Sequence, residues 1–180
     1  GTLAVEFNAY RSAITHTHYG ALKVKDAIVD QFRERTGVRP SVATDEPDVR
    51  INVFVQADQA TVALDLSGES LHRRGYRVSS VLAPLKENLA AGILVRAGWP
   101  AVAGAGGALV DLMCGSGTLP IEAALIAADS APGLGRTYYG FLRWRGHDSV
   151  LWEQLLVEAR ERRAAGLSKL VPVRGYDHDP

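Results

Sequence analysis

The stretch ALVDLMCGSGTLPIEAAL, residues 108–125, sets an apolar run, an acid and two glycines directly ahead of a helix-forming tail. ALVDL is short and continuously apolar but for its acid, as a buried strand is, and Thr118 to about Asp129 reads as a helix that tolerates Pro120 in its first turn. Gly115 and Gly117 therefore occupy a strand-to-helix turn. Glycines there let the backbone approach a ligand, and the free N–H groups of a helix start favour an anion.

Three ligands compete for such a loop. A phosphate loop needs a lysine followed by Ser or Thr, and CGSGTLP has no lysine. A dinucleotide fingerprint needs a third glycine where this chain has Pro120, and the earlier GAGGAL precedes the strand, where neither motif belongs. S-adenosylmethionine fits better. It has no phosphate, it offers a carboxylate to the helix start, and its ammonium group suits an acid such as Asp111. Its ribose hydroxyls want an acceptor at the end of the next strand, and Asp177 closes VRGYD. Asp177 lies 66 positions after Asp111, against about 20 in a minimal unit. The helix around Trp152 is then an insertion.

Outward from the loop, PLKENLAAGILVRAG (84–98) is helical and AVAGAGG (101–107) a linker or turn. A second helix is expected from about Ser149 to Ala165, burying Leu151, Trp152, Leu155, Leu156 and Ala159, and a second strand from Val173, since Pro172 is awkward in a central strand. Strand, helix, helix, strand is the opening of a doubly wound α/β fold. Upstream, TLAVEF alternates as a half-buried strand, and GALKVKDAIVDQFRERTG is a helix with Ala21, Val24, Ile28 and Phe32 near one face and Gly37 past its end. RINVFVQ, with Ile51, Val53 and Val55 in step, and TVALDLS, with Val62, Leu64 and Leu66, are strands joined through ADQA. The result is an α/β chain: a partial α+β module, then the start of a Rossmann-like domain.

The chain has 180 residues, 47% of them hydrophobic, enough for one medium domain or two small ones. Its 20 basic and 20 acidic side chains cancel, so no bulk field draws it to nucleic acid or to an anionic membrane, and any such binding must be local. One cysteine, Cys114, excludes an internal disulfide and a multi-cysteine zinc site. No apolar run is long enough to span a bilayer and no leader is read. A soluble, cytoplasmic protein is expected. His16 and His18 are read as a solvated loop, so no metal is assigned.

DLMCGSGTLPIEAALIAADSAPGL closely resembles the first cofactor motif of the bacterial large-subunit ribosomal RNA guanine-N2 methyltransferases. The resemblance extends through YGALKVKDAIVDQF, PDVRINV, LDLSGESLHRRGYR, APLKENLAA and YYGFLRWRGHDSVLW. It implies a THUMP RNA-binding domain (C-terminal part) over residues 1–75, then the N-terminal part of an S-adenosylmethionine-dependent methyltransferase domain over 76–180. By position, it implies cofactor contacts from Asp111, Met113, Cys114, Gly115, Ser116, Gly117, Thr118 and Asp177, and from the APLKEN segment, where Leu82 and Ala83 stand. It implies large-subunit (23S) ribosomal RNA as partner and guanine N2 as methyl acceptor.

This sequence departs from the family at Leu112, where proline is usual, and in lacking a glycine shortly before LAPLKE. The family's Asn-Pro-Pro-aromatic catalytic motif is absent. No catalytic residue is therefore assigned, and the 180 residues alone are expected to be inactive. For RNA, LHRRGYR gathers Arg73, Arg74 and Arg77 without an acid, and Lys23 and Lys25 add charge from the helix. With these five included, residues 1–77 hold ten basic and ten acidic side chains. Two alternatives stay open: a non-catalytic THUMP-type RNA-binding module, and a relative of the DNA adenine-N6 methyltransferases.

Overall fold

The computed structural model describes residues 1–77 and 84–178. The chain forms two compact units, Gly1–Glu69 with Tyr138–His147, and Ser70–Thr137 with Asp148–Pro180.

The first unit is a four-stranded sheet with a crossover helix. Strand β1 (Thr2–Tyr10) leads into α1 (Thr17–Thr36), then β2 (Ser41–Val42), β3 (Val49–Gln56) and β4 (Gln59–Asp65), in spatial order β2-β1-β3-β4. β1 and β3 are parallel, as a helical crossover permits, and β3 and β4 form an antiparallel hairpin turning at Ala57 and Asp58. Val5, Phe7 and Ala9 of β1 stand opposite Ile51, Val53 and Val55 of β3, so one face carries a continuous apolar patch. Val24 and Ile28 of α1 pack against that patch. The helix approaches closely because Gly20 is bare: a Cβ there would stand 2.7 Å from the Phe7 ring. Gly37 ends α1 with φ 71°, and its N–H donates to the Arg33 carbonyl.

Two expectations change here. Val62 and Leu64 stand opposite Val53 and Ile51, on the core-facing side, yet both are more than half exposed, and Leu66 is nearly so. A helix about 10 Å across spans two strands spaced about 4.8 Å apart, not three. β4 is therefore left uncovered, and Leu64 lines a cavity of about 810 Å³ with Phe32 and Trp144. Phe32 is half exposed for the same reason. The segment Tyr138–His147 straps this unit: the Tyr138 hydroxyl donates to the Pro47 carbonyl, and Arg143 pairs with Glu46.

The second unit orders α2 (Glu87–Arg96), α3 (Trp99–Gly104), β5 (Leu109–Asp111), α4 (Thr118–Ala127), α5 (Ser149–Leu167) and β6 (Val173–Gly175). β5 and β6 are parallel, Asp111 opposite Gly175. Leu94, Trp99 and Ala123 form the core, with Leu109 and Val173 from the strands against it. Trp99 also donates its indole N–H to the Ala123 carbonyl at 2.9 Å. That anchor explains why part of AVAGAGG is helix rather than linker: burying an indole outweighs the weak helix preference of its glycines. α5 is capped by Asp148, whose side chain accepts from the amides of Val150 and Leu151. It buries none of its residues fully, and Leu151 and Leu155 are about half exposed, contrary to the expected buried stripe. Among the described residues this sheet has two strands, too narrow an apolar surface to match the stripe.

Candidate functional site

The loop between β5 and α4 is held by both strands. Asp111 ends β5 and takes the Met113 N–H on its side chain at 3.1 Å, turning the chain away from the sheet. The backbone then knits to the residue after β6: Tyr176 N–H donates to the Asp111 carbonyl, and Cys114 N–H to the Tyr176 carbonyl. Asp177 closes the arrangement, accepting the Gly115 N–H at 2.7 Å across 62 positions of sequence. The two acids singled out in the sequence are thus brought to one loop. The insertion does not disturb this, because parallel pairing of β5 and β6 sets the position of Asp177, not chain length.

Both loop glycines need their freedom. Gly115 has φ 52° and Gly117 φ 79°, the left-handed region that side chains disfavour. Gly175 serves by close approach, since a Cβ there would lie 2.9 Å from Cys114 Sγ. Cys114 is a half-buried free thiol packed at this crossing. Met113 is 87% exposed, open to a ligand. Ser116 is half-buried and Thr118 buried, their hydroxyls 3.5 Å apart at the first turn of α4.

The arginines of LHRRGYR divide. Arg73 is exposed. Arg74 turns inward, its Nε 2.8 Å from Glu122 Oε1, with side chains 10% and 3% exposed. The Tyr76 hydroxyl donates to the same oxygen at 2.9 Å. Burial, then the neighbouring Glu122 carboxylate, pushes the Tyr76 phenol well above its usual range. Arg77 donates to Glu87 Oε1, to the Leu85 carbonyl, and to the hydroxyls of Ser116 and Thr118. The sequence thus leads to an interior polar cluster where a free cationic loop was expected. The missed partners, Glu122 and Glu87, had a weak signal: Thr118 and Glu122 are four apart, on one face of α4. In the first unit, Lys23 is exposed beside the Tyr19 ring and Lys25 pairs with Asp26 at 2.7 Å. Leu82 and Ala83 lie outside the described residues.

Residues 74–180 match the family described as RMKL-like, methyltransferase domain. The chain belongs to this family. Residues 1–65 match the THUMP domain, so the order of the two parts in this RMKL-like chain is the one its sequence resemblance implies. Among curated relatives, the ribosomal RNA large subunit methyltransferase K/L of Methylococcus capsulatus (strain Bath) is 65% identical over 99% of this chain and 24% of its own length. The protein of that name from Pseudomonas aeruginosa is 59% identical over 100% of this chain and 25% of its own. The chain thus spans about a quarter of the length of these relatives. Among solved structures, a predicted N6-adenine-specific DNA methylase from Listeria monocytogenes superposes with TM-score 0.79 at 29% identity, covering 99% of this chain and 45% of that one. SMU.472, a putative methyltransferase complexed with SAH, gives 0.72 at 28% identity, with the same coverages. No described helix is long and apolar enough to cross a membrane.

Proposed function

We propose that this chain supplies the RNA-binding and cofactor-binding parts of an S-adenosylmethionine-dependent methyltransferase that modifies guanine N2 in large-subunit ribosomal RNA, in the cytoplasm. The observation that carries the reading is the junction of Asp177 with the glycine loop through the Gly115 amide. It makes an acid at the end of the second strand part of the same site as Asp111 and the α4 start. Two carboxylates beside the loop would repel a pyrophosphate, while they suit ribose hydroxyls and an ammonium group. The donor set therefore fits S-adenosylmethionine.

In this reading Asp177 accepts from the ribose, Asp111 favours the ammonium group, and Ser116 and Thr118 at the start of α4 present donors to the carboxylate, on a turn shaped by Gly115 and Gly117, whose own amides are held by Asp177 and the Cys114 carbonyl. Met113 and Cys114 border the same loop. The bound cofactor supplies an electrophilic methyl group on a sulfonium. Such a displacement needs the acceptor amine positioned more than it needs a strong base. The THUMP match over residues 1–65 favours RNA over the DNA named for the Listeria protein. Lys23 and Lys25 in the first unit and Arg73 in the second are the cations offered to phosphate, while Arg74 and Arg77 are engaged within the second unit. The domain division 1–75 and 76–180 is part of the same proposal.

Titration calorimetry with S-adenosylhomocysteine tests the site. Asp177→Ala is expected to weaken binding by about 1.5–3 kcal/mol, the worth of hydrogen bonds to a charged group. Unchanged affinity in a folded variant would exclude the ribose role.

A further inference from the structure

Arg77 occupies a costly place. A guanidinium at the first turn of α4 meets the positive end of the helix dipole, which disfavours a cation. Glu87, 7% exposed, compensates from the first residue of α2, its Oε1 within 3.4 Å of both Nε and Nη2 of Arg77. Neutrality is thereby restored, yet the guanidinium still donates to Ser116 Oγ at 3.4 Å and to Thr118 Oγ1 at 3.3 Å. Guanidinium can only donate, so both hydroxyls accept from it and keep their own hydrogens to give elsewhere. The two hydroxyls are 3.5 Å apart, so one can give its hydrogen to the other. Thr118 is buried and Ser116 less so. The relay that satisfies every group runs from Arg77 to Thr118 to Ser116, whose hydrogen is left for an acceptor arriving at the loop.

We propose that Arg77 is a positioning residue of the cofactor site, which acts directly and through the Thr118 hydroxyl to make the Ser116 hydroxyl a directed donor for the anionic, amino-acid end of the cofactor. The inference rests on the cofactor reading above. It assigns Arg77 to the loop and not to a phosphate of RNA. The Arg74, Tyr76 and Glu122 cluster holds the neighbouring chain, so that Arg77 arrives in register with the start of α4.

The test uses the chain in its full natural reading frame, with Arg77→Ala, Arg77→Lys and Ser116→Ala. Calorimetry compares S-adenosylhomocysteine with 5′-methylthioadenosine, which shares the adenosine and lacks the carboxylate. Arg77→Ala is expected to bind the first about tenfold more weakly, the loss of roughly one charge-assisted hydrogen bond, and the second as wild type does. Ser116→Ala should follow the same pattern, and Arg77→Lys should recover part of the loss. Without ligand, Arg77→Ala should speed amide hydrogen exchange at residues 114–118 while leaving the later turns of α4 unchanged, a contrast that general destabilisation does not produce. Equal loss for both ligands, or loss of RNA affinity with cofactor affinity intact, overturns the proposal. Should Arg77→Ala not fold, Ser116→Ala and Arg77→Lys decide by the same ligand comparison. If wild type itself fails to bind S-adenosylhomocysteine, the cofactor reading falls and this inference with it.

Discussion

Replacing Glu122 by alanine should be the most damaging single change in the second unit. Its Oε1 takes the Arg74 Nε at 2.8 Å and the Tyr76 hydroxyl at 2.9 Å, in a place where the glutamate side chain is 3% and the arginine 10% exposed. Water cannot substitute for the lost carboxylate, so the arginine is left as an uncompensated buried cation. Breaking a buried pair from one side costs about 3–5 kcal/mol, a large share of the roughly 5–15 kcal/mol that holds a domain folded. The triple variant Arg74→Met, Tyr76→Phe, Glu122→Leu removes every polar member together and should recover most of that loss, because no buried charge is stranded. Urea unfolding followed by tryptophan fluorescence measures both. In a Trp144→Phe, Trp152→Phe background, Trp99 is the sole tryptophan reporter, and its indole bonds the residue next to Glu122. A loss below about 1 kcal/mol for Glu122→Ala, or a triple variant less stable than the single one, would refute the argument that this pair is buried and mutually dependent.

Tyr76 sets a pH dependence: its folded phenol holds its proton above the unfolded value of about 10. Its contribution is therefore complete below that pH and is lost as pH rises, because the unfolded chain releases the proton first. Tyr76→Phe should flatten the alkaline decline in melting temperature, and parallel curves for the two proteins would count against it. Gly20→Ala should destabilise the first unit by about 1–2 kcal/mol, overpacking against the Phe7 ring exceeding the usual helix gain of alanine, and a stabilised variant by urea titration would contradict the close approach. Arg73→Ala should lower the salt slope of ribosomal RNA binding by about one unit, and an unaltered slope would remove this side chain from the phosphate contacts.

The sequence by itself determined the local chemistry. The glycine turn, the proline in the first turn of α4, the apolar alternation of β1 and β3 and the glycine ending α1 all act within a few residues, where backbone sterics and side-chain period decide the outcome. The meeting of Asp177 with the glycine loop was legible too, because consecutive parallel strands end on the same side of a sheet. What covers a face is a different kind of question. Periodicity places Val62 and Leu64 on one side of β4, and Leu151 and Leu155 on one stripe of α5, but whether anything lies over them depends on how many strands one helix spans and how many neighbours a short sheet has. The arginines make the same point for charge. Arg74 finds its carboxylate 48 positions away and Arg77 reaches hydroxyls 39 and 41 positions away. Only the folding of residues 73–77 against α4 could turn an apparent basic loop into an internal support for the glycine turn, since the choice between water and a buried partner is made by packing, not by neighbours in sequence.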